Sequence, residues 1–600
     1  MMLKIPDVLN RAFARTVWRH ADALRVMMLS LCVVVGALSG TAAVLMHEVA
    51  QSCRHFCAWL LDRSGNAAEW LAPALPAGGI FLCILFMELF FRRHRYEVSL
   101  WPAIREARHP GRKIHRYHTF CHILTSGVAV GMGISAGMEA PSALTGSAIG
   151  DWLGRKLGLA AESCTLLLCA GASAGIAAIF NAPLTGALFA CEVLLSSSSA
   201  VLLIPLLIAA AAGAVVSQLC HLPVNFPNID YTWRMANLWI YAVIGLASGA
   251  CAAMVIRTAD IVSRLAARLP GGRWMRGLLG AALLYLAFLF LPALAGQGFN
   301  FIASLLANHI NELPDGMLPF STAGSPALLI LMLLVLALLK PVVSNLSTAA
   351  GGDGGMFAPS LVTGCFLGGF FYLVLQQLNV TTIPALNCMA AGMAGMLAGV
   401  MHAPLTGMFL IAEMLSGYGL FVPLMVVVAL ATFTSKLLSG NNLYFAVANA
   451  RRSAAQPPAL PPTLDDQEMA KVGDLADRHY FTLSQRDSFR AMLKTMMRSK
   501  QSVFPVLDDD AHLIGMVSER HLRPFILDTR LYDQLIVDDF MGPIPPILPD
   551  TATVGDAARV FDQTNADVIA VSHLGRFLGI LSKAHLLENY RQLLVQHDLF

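Results

Sequence analysis

The sequence predicts a polytopic, all-helical membrane protein built from two copies of one unit and followed by a small soluble α/β region. Three observations predict it. Only 13% of the 600 residues are charged while 56% are hydrophobic, about half the charge density of an ordinary soluble domain. Two pairs of matching segments recur at nearly the same offset. Composition changes sharply after residue 450, where apolar runs give way to alternating charged and apolar positions.

Apolar stretches long enough to span a bilayer, roughly 20 residues each, lie near 26–48, 74–91, 237–257, 274–295, 326–345 and 419–438. Shorter apolar pieces near 164–180, 182–196, 357–376 and 402–415 are interrupted by Gly, Pro and Ser, which suits broken or re-entrant helices. Residues 1–25 carry Lys4, Arg11, Arg15, Arg19, His20 and Arg25 ahead of any apolar core, so a cytoplasmic lead-in is expected rather than a secretory signal. Arg92, Arg93, Arg95, Arg105, Arg108, Arg112, Lys113 and Arg116 crowd one loop, which the positive-inside rule assigns to the cytoplasm. The expectation is a multi-pass protein of a bacterial inner membrane with both termini cytoplasmic. A net charge of +3 gives nucleic-acid binding no electrostatic support. The twelve cysteines all fall at or before Cys388 without Cys-x-x-Cys spacing, and read as small core residues rather than metal ligands.

Residues 137–146 read GMEAPSALTG and residues 355–364 read GMFAPSLVTG; NAPLTGALFACE (Asn181–Glu192) answers HAPLTGMFLIAE (His402–Glu413). The offsets are 218 and 221 residues, so one duplication accounts for both pairs. The copies are placed at about 26–220 and 237–448, within a membrane domain of 26–450. A duplicated membrane protein commonly binds its substrate near the midplane, where helix N-termini from the two copies meet. Unpaired N–H groups and the helix dipole make such ends anion sites without a full positive charge. The chemistry predicted is anion binding at the helix starts after Gly137 and Gly355.

These residues resemble the CLC family of chloride channels and anion/proton exchangers. Gly355-Met356-Phe357-Ala358-Pro359 follows the family's Gly-x-Phe-x-Pro motif, and Gly137-Met138-Glu139-Ala140-Pro141 is similar to its Gly-Arg/Lys-Glu-Gly-Pro motif. Around Val98-Ser99-Leu100-Trp101-Pro102, only Ser99 and Pro102 of the family's Gly-Ser-Gly-Ile-Pro remain; Asn441-Asn442-Leu443-Tyr444 resembles the segment that supplies a central tyrosine. The resemblance implies an inverted-repeat architecture, a homodimer in the lipid bilayer, and no enzymatic activity or bound cofactor. It also implies chloride held by the hydroxyls of Ser99 and Tyr444 and by the N–H groups of Met356 and Phe357, with Glu139 as the gate. Read from the residues alone, the blander alternatives are a surface acid at a helix start for Glu139, a turn cap for Ser99 and an interfacial aromatic for Tyr444, and a pore role is preferred for each. Glu192 and Glu413 are expected to serve as scaffold hydrogen-bond acceptors, and Asp353 to cap its turn.

Proton-coupled members carry an acid directly after the position of Glu192, where this chain has Val193. Valine does not titrate, so the resemblance favours a voltage- or pH-gated channel that passes chloride passively. The alternative is a chloride/proton antiporter with an atypical proton path. Met138 also stands where the family has a basic residue. A divalent-cation transporter is the reading from another class, and it needs clustered oxygen ligands in the membrane region; Glu139, Glu192, Asp353 and Glu413 form no cluster in sequence. No HExxH, phosphate-binding loop or nucleophile elbow is present to support a membrane enzyme.

Residues 453–463, SAAQPPALPPT, mark an extended linker over 451–470. Beyond it, 471–600 contains two similar blocks, about 471–532 and 533–600. The first has a predicted capping box at Ser484–Asp487 before FPVLDDDAHLIGMVSERHL; the second has Thr553–Asp556 before VIAVSHLGRFLGILSKAHL. They resemble a pair of CBS modules. The resemblance makes Ser518, His521, Ser582 and His585 the candidate ligand positions for an adenine nucleotide. His521 and His585 replace the family's ribose-binding Asp, and imidazole cannot accept two hydroxyl hydrogen bonds as a carboxylate does. A packing and dimer-stabilising role is therefore expected for the pair.

Overall fold

The computed structural model describes residues 21–91, 99–108, 113–195, 200–220, 233–270, 272–299, 302, 325–380, 383–415, 417–448 and most positions of 471–582. The lead-in before residue 21, the 451–470 linker, His521 and His585 lie outside the described residues. The chain divides into a unit ending at Gln456 and a second beginning at Pro457, each described here by itself.

The described residues of the first unit form helices joined by short turns. It opens with α1 (Ala21–Arg63), α2 (Leu75–Phe91), α3 (Trp101–Arg108) and α4 (Cys121–Gly131). α5 (Glu139–Lys156), α6 (Ala161–Phe180), α7 (Pro183–Phe189) and α8 (Ala200–Leu219) complete the first copy, α7 continuing as a π-helical turn over Ala190–Leu195. The second copy comprises α9 (Leu238–Arg268), α10 (Gly272–Phe290), α11 (Pro326–Ala349), α12 (Phe357–Gln377), α13 (Ala385–Met401), α14 (Pro404–Met414) and α15 (Phe421–Ser439). Nine of the described helices are long and apolar enough to cross a membrane.

Two expectations need correction. α8, an apolar helix of 20 residues, was absent from the expected spans, and Pro205 within it shows why. A proline inside a membrane helix is tolerated because neighbouring helices stabilise the interruption. The pieces near 164–180 and 357–376 are not broken: α6 and α12 are continuous helices of 20 and 21 residues. Their Gly and Ser residues serve contact between helices instead.

Those contacts repeat between the copies. α5 crosses α6 where Gly146 meets Gly171, and a Cβ on either would run into the other's carbonyl oxygen. α12 crosses α13 in the same manner, Gly364 against Gly392. Small residues let membrane helices approach closely, and dispersion replaces the missing hydrophobic drive. The turns between α6 and α7 and between α13 and α14 match as well. Asn181 and His402 end their helices in the left-handed region, at φ 51° and 54°. Ala182 and Ala403 leave the helical region, at φ −127° and −128° with ψ 79°, as proline disfavours a helical residue before it. Pro183 and Pro404 then supply the first helical φ.

In the second unit, β1 (Leu483–Ser484), β2 (Val503–Leu507) and β3 (Leu513–Ser518) form one three-stranded sheet; β4 (Ile547–Pro549), β5 (Val568–His573) and β6 (Arg576–Ser582) form its counterpart. In each, the first strand pairs parallel and the last two antiparallel. Leu513 and Met516 from one sheet and Ala570 and Ile580 from the other share a buried cluster. The capping expectation holds for the second block, where Thr553 and Asp556 bond reciprocally. It is corrected in the first: α16 (Phe489–Met497) is capped by Ser488, whose hydroxyl accepts from Ala491 at 3.3 Å, while Asp487 closes the preceding turn onto Ser484.

Because the Gly171 and Gly392 crossings have no room for a side chain, Gly171→Val and Gly392→Val are each expected to destabilise the protein by about 1–3 kcal/mol. Thermal unfolding in detergent measures this, and an unchanged midpoint for both variants would contradict the crossings.

Candidate functional site

The two motif loops meet at the centre of the helical unit. Gly137 donates its N–H to the Gly355 carbonyl at 2.8 Å and Gly355 returns the bond to Gly137 at 2.7 Å, an antiparallel bridge between equivalent residues. Equivalent residues that pair reciprocally lie on a local two-fold axis. α5 and α12 therefore leave the bridge with related N-termini, at Glu139 and Phe357.

Glu139 is wholly buried. Its carboxylate folds back over Gly137, so that a Cβ on Gly137 would strike both it and the Ala358 side chain from the other copy. The backbone N–H groups of Glu139 and Ala358 face the carboxylate, outside regular hydrogen-bond geometry. The Tyr444 phenol stands close enough to sense its charge. Tyr444 lies in a short helical segment, 443–448, whose start is capped by Asn442 accepting the Phe445 N–H at 3.2 Å. Met356 and Phe357 are both buried at the start of α12, so their N–H groups have no partner inside that helix. The Phe357 ring packs on Phe180 at 5.4 Å and Phe189 at 6.2 Å, tying the loop to α6 and α7.

Ser99 sits at the entry to α3, and the structure carries that entry to the Tyr444 segment: the Trp101 and Phe445 rings meet edge-on at 5.1 Å. The Arg108 guanidinium lies 4.8 Å from the Phe445 ring centroid on the same side. It donates to the carbonyls of Val193 at 3.2 Å and Leu194 at 3.3 Å. Glu139, Met356, Phe357 and Tyr444 are thus gathered by α5, α12 and the chain's last apolar segment, which the entry to α3, two residues after Ser99, meets through Trp101 and Phe445. Val193 faces a cation instead of supplying an acid.

A sequence profile of the voltage gated chloride channel family matches residues 78–436, and CBS domain profiles match 472–528 and 537–591. The chain belongs to the CLC family. Among solved structures, it resembles a slow cyanobacterial Cl-/H+ antiporter at 20% identity and a TM-score of 0.61, covering 72% of this chain and 98% of that one. A eukaryotic CLC transporter matches at 17% identity and 0.62, covering 94% and 98%. A CLC-type fluoride/proton antiporter matches at 22% and 0.56, covering 71% and 98%. These likenesses establish a CLC fold with a C-terminal CBS pair and a multi-pass membrane protein that transports anions.

In this CLC chain, the matched glutamates brace the copies against each other. Glu192 accepts from the Leu405 N–H at 3.0 Å, the Thr406 N–H at 2.8 Å and the Thr406 hydroxyl at 2.7 Å. Glu413 accepts from the Leu184 and Thr185 N–H groups at 3.0 and 2.8 Å and the Thr185 hydroxyl at 2.5 Å. Each carboxylate caps the helix start of the other copy, where the dipole favours it. Asp353 is wholly buried and accepts from the His122 ring at 2.7 Å and from the Thr125 hydroxyl.

Sequence reasoning passed over Arg108, His118, His122 and Lys340. Lys340 is wholly buried in α11 and donates to the carbonyls of Leu294 and Gly296 at 2.9 and 2.8 Å. A lone cation inside the 326–345 apolar run was the available signal. Among the described residues, the one trio with metal-binding spacing is the exposed Asp508, Asp510 and His512 turn, outside the membrane unit.

Removing either brace strips two helix N–H groups of their carboxylate acceptor. Glu192→Ala and Glu413→Ala are each expected to cost about 0.5–2 kcal/mol of stability, with the Gln variants intermediate. Thermal unfolding of the detergent-purified chain checks this, and two Ala variants as stable as wild type would contradict the reciprocal capping.

Proposed function

We propose that this CLC protein carries chloride, or an anion of similar size and charge, through the junction of its two copies, with Glu139 as the gate. The observation that supports this best is the wholly buried Glu139 carboxylate lying on the α5 and α12 starts beside Tyr444. A negative group held by helix ends occupies the place an anion would take. Ionised, it blocks the path; protonated or swung aside, it admits the ion. The Ser99 and Tyr444 hydroxyls and the Met356 and Phe357 N–H groups then replace part of the ion's hydration shell. Neutral donors of this kind hold an anion weakly enough to release it.

Passive flow is favoured by Val193. The position where proton-coupled relatives place an acid offers no titratable group, and its carbonyl is taken by the Arg108 guanidinium. A cation there attracts anions and opposes protons. Exchange for protons is the second reading, carried by the Cl-/H+ and fluoride/proton antiporters with the same fold and requiring a route other than Val193. The CBS pair is proposed to act by packing, within a homodimer, rather than by holding adenine nucleotide near Ser518 and Ser582. The cluster joining its two sheets supports that reading.

In liposomes at alkaline pH, where wild-type Glu139 is ionised, Glu139→Gln is expected to raise chloride efflux, and gluconate is expected not to substitute. Equal efflux from the two proteins would remove the gating role. Simultaneous recording of protons is expected to show none moving with chloride; uphill proton transport driven by a chloride gradient would overturn passive flow in favour of exchange.

A further inference from the structure

One buried group of titratable side chains takes no part in the anion path above. His118, in the turn before α4, and His122 and Asp353 are all buried. His118 Nδ1 stands 2.9 Å from His122 Nε2, and His122 Nδ1 2.7 Å from Asp353 Oδ2. The Thr125 hydroxyl donates to the same carboxylate oxygen. Toward the surface, the Tyr117 ring lies 4.3 Å from His118 and 5.4 Å from His115, which is exposed beside the basic loop. An unbroken file of rings thus runs from that edge to the glycine-rich loop ahead of α12.

The donors and acceptors are in series. A carboxylate accepts, so His122 carries its proton on Nδ1, and its Nε2 lone pair receives the Nδ1 proton of His118. A proton bound at His118 Nε2 releases the His118 Nδ1 proton to His122 Nε2, and the His122 Nδ1 proton passes to Asp353 Oδ2. One N–H bond forms at the outer ring and one O–H bond at the carboxyl. Both rings end neutral in their other tautomer.

Asp353 precedes Met356 by three residues, so their Cα atoms lie within about 11 Å. A carboxylate at that range repels an anion held at the start of α12, and neutralising it changes anion occupancy by about tenfold at the effective dielectric of a protein site. We propose that His118, His122 and Asp353 form a proton-uptake site, loaded from the His115 edge, that discharges Asp353 and admits an anion to Met356 and Phe357 independently of Glu139. The proposal rests on the anion-path reading above. Other titratable groups lie near the site or on the elements packed about it. Cys83 of α2 and Cys121 of α4 lie near Asp353, and His115 lies near His118. From α5, Asp151 accepts the Ile114 N–H at 3.4 Å, lies near Lys113, and binds Arg155, which Glu106 also holds.

The test uses the full chain in liposomes with the gate neutralised. Chloride efflux from Glu139→Gln is expected to rise about tenfold as the pH is lowered from about 8 to about 5.5. Adding His122→Gln is expected to flatten the response, and adding Asp353→Asn to flatten it at the high level. A Glu139→Gln protein whose efflux ignores pH, or a response that survives both additions, would overturn the proposal while leaving the gating role intact. Glu139→Gln efflux equal to wild type at alkaline pH would instead remove the gating role. If the added variants fail to fold, ring-labelled histidine resonances of the wild-type chain in lipid decide: two buried rings changing tautomer or charge over the same range support the site, and two that stay constant overturn it.

Discussion

The pair of hydrogen bonds between Gly137 and Gly355 fixes the geometry on which the rest of the helical unit depends. Each glycine stands two residues before its motif turns into a helix, and the bonds run both ways. The two helix starts are therefore related by a local two-fold axis. That constraint brings Glu139 from one copy onto Ala358 of the other. It leaves the Met356 and Phe357 N–H groups at a junction with no intrahelical use for them. A side chain on either glycine would collide with the neighbouring copy, Ala140 in the case of Gly355.

The second reciprocal contact holds the copies from further out. Glu192 and Glu413 each cap the opposite copy's Pro-Leu-Thr helix start with both oxygens. Two acidic side chains thereby serve the scaffold, at helix starts whose dipoles favour a carboxylate. This leaves Glu139 as the wholly buried acid at the junction itself. The same logic separates Asp353, whose charge is answered by His122 and Thr125, from the acids that brace the fold.

Much of this was legible in the sequence because the duplication repeats whole blocks. Gly-Met-x-Ala-Pro-Ser and Ala-Pro-Leu-Thr-Gly announce the helix starts and the paired glutamates. What escaped was information held between elements rather than along them. α8 hid behind Pro205, whose cost is relieved only by neighbours. α6 and α12 looked interrupted because glycines that serve helix crossings are indistinguishable in sequence from glycines that break helices. Asp353 and His122 lie 231 residues apart, with no periodicity to link them, so the acid looked like a turn cap. Arg108 was visible only as one charge of a basic loop, although its guanidinium reaches the Val193 carbonyl.

A single picture joins these parts: helix ends from two related halves make a mildly positive pocket, and a glutamate side chain competes with the transported ion for it. Bromide, which scatters anomalously, substitutes for chloride in size and charge. Diffraction from Glu139→Gln crystals grown in bromide is predicted to show an anion peak within hydrogen-bond reach of the Phe357 N–H and the Tyr444 hydroxyl, at the position the wild-type carboxylate fills. Bromide found only at the protein surface, with the junction empty in that variant, would contradict the account.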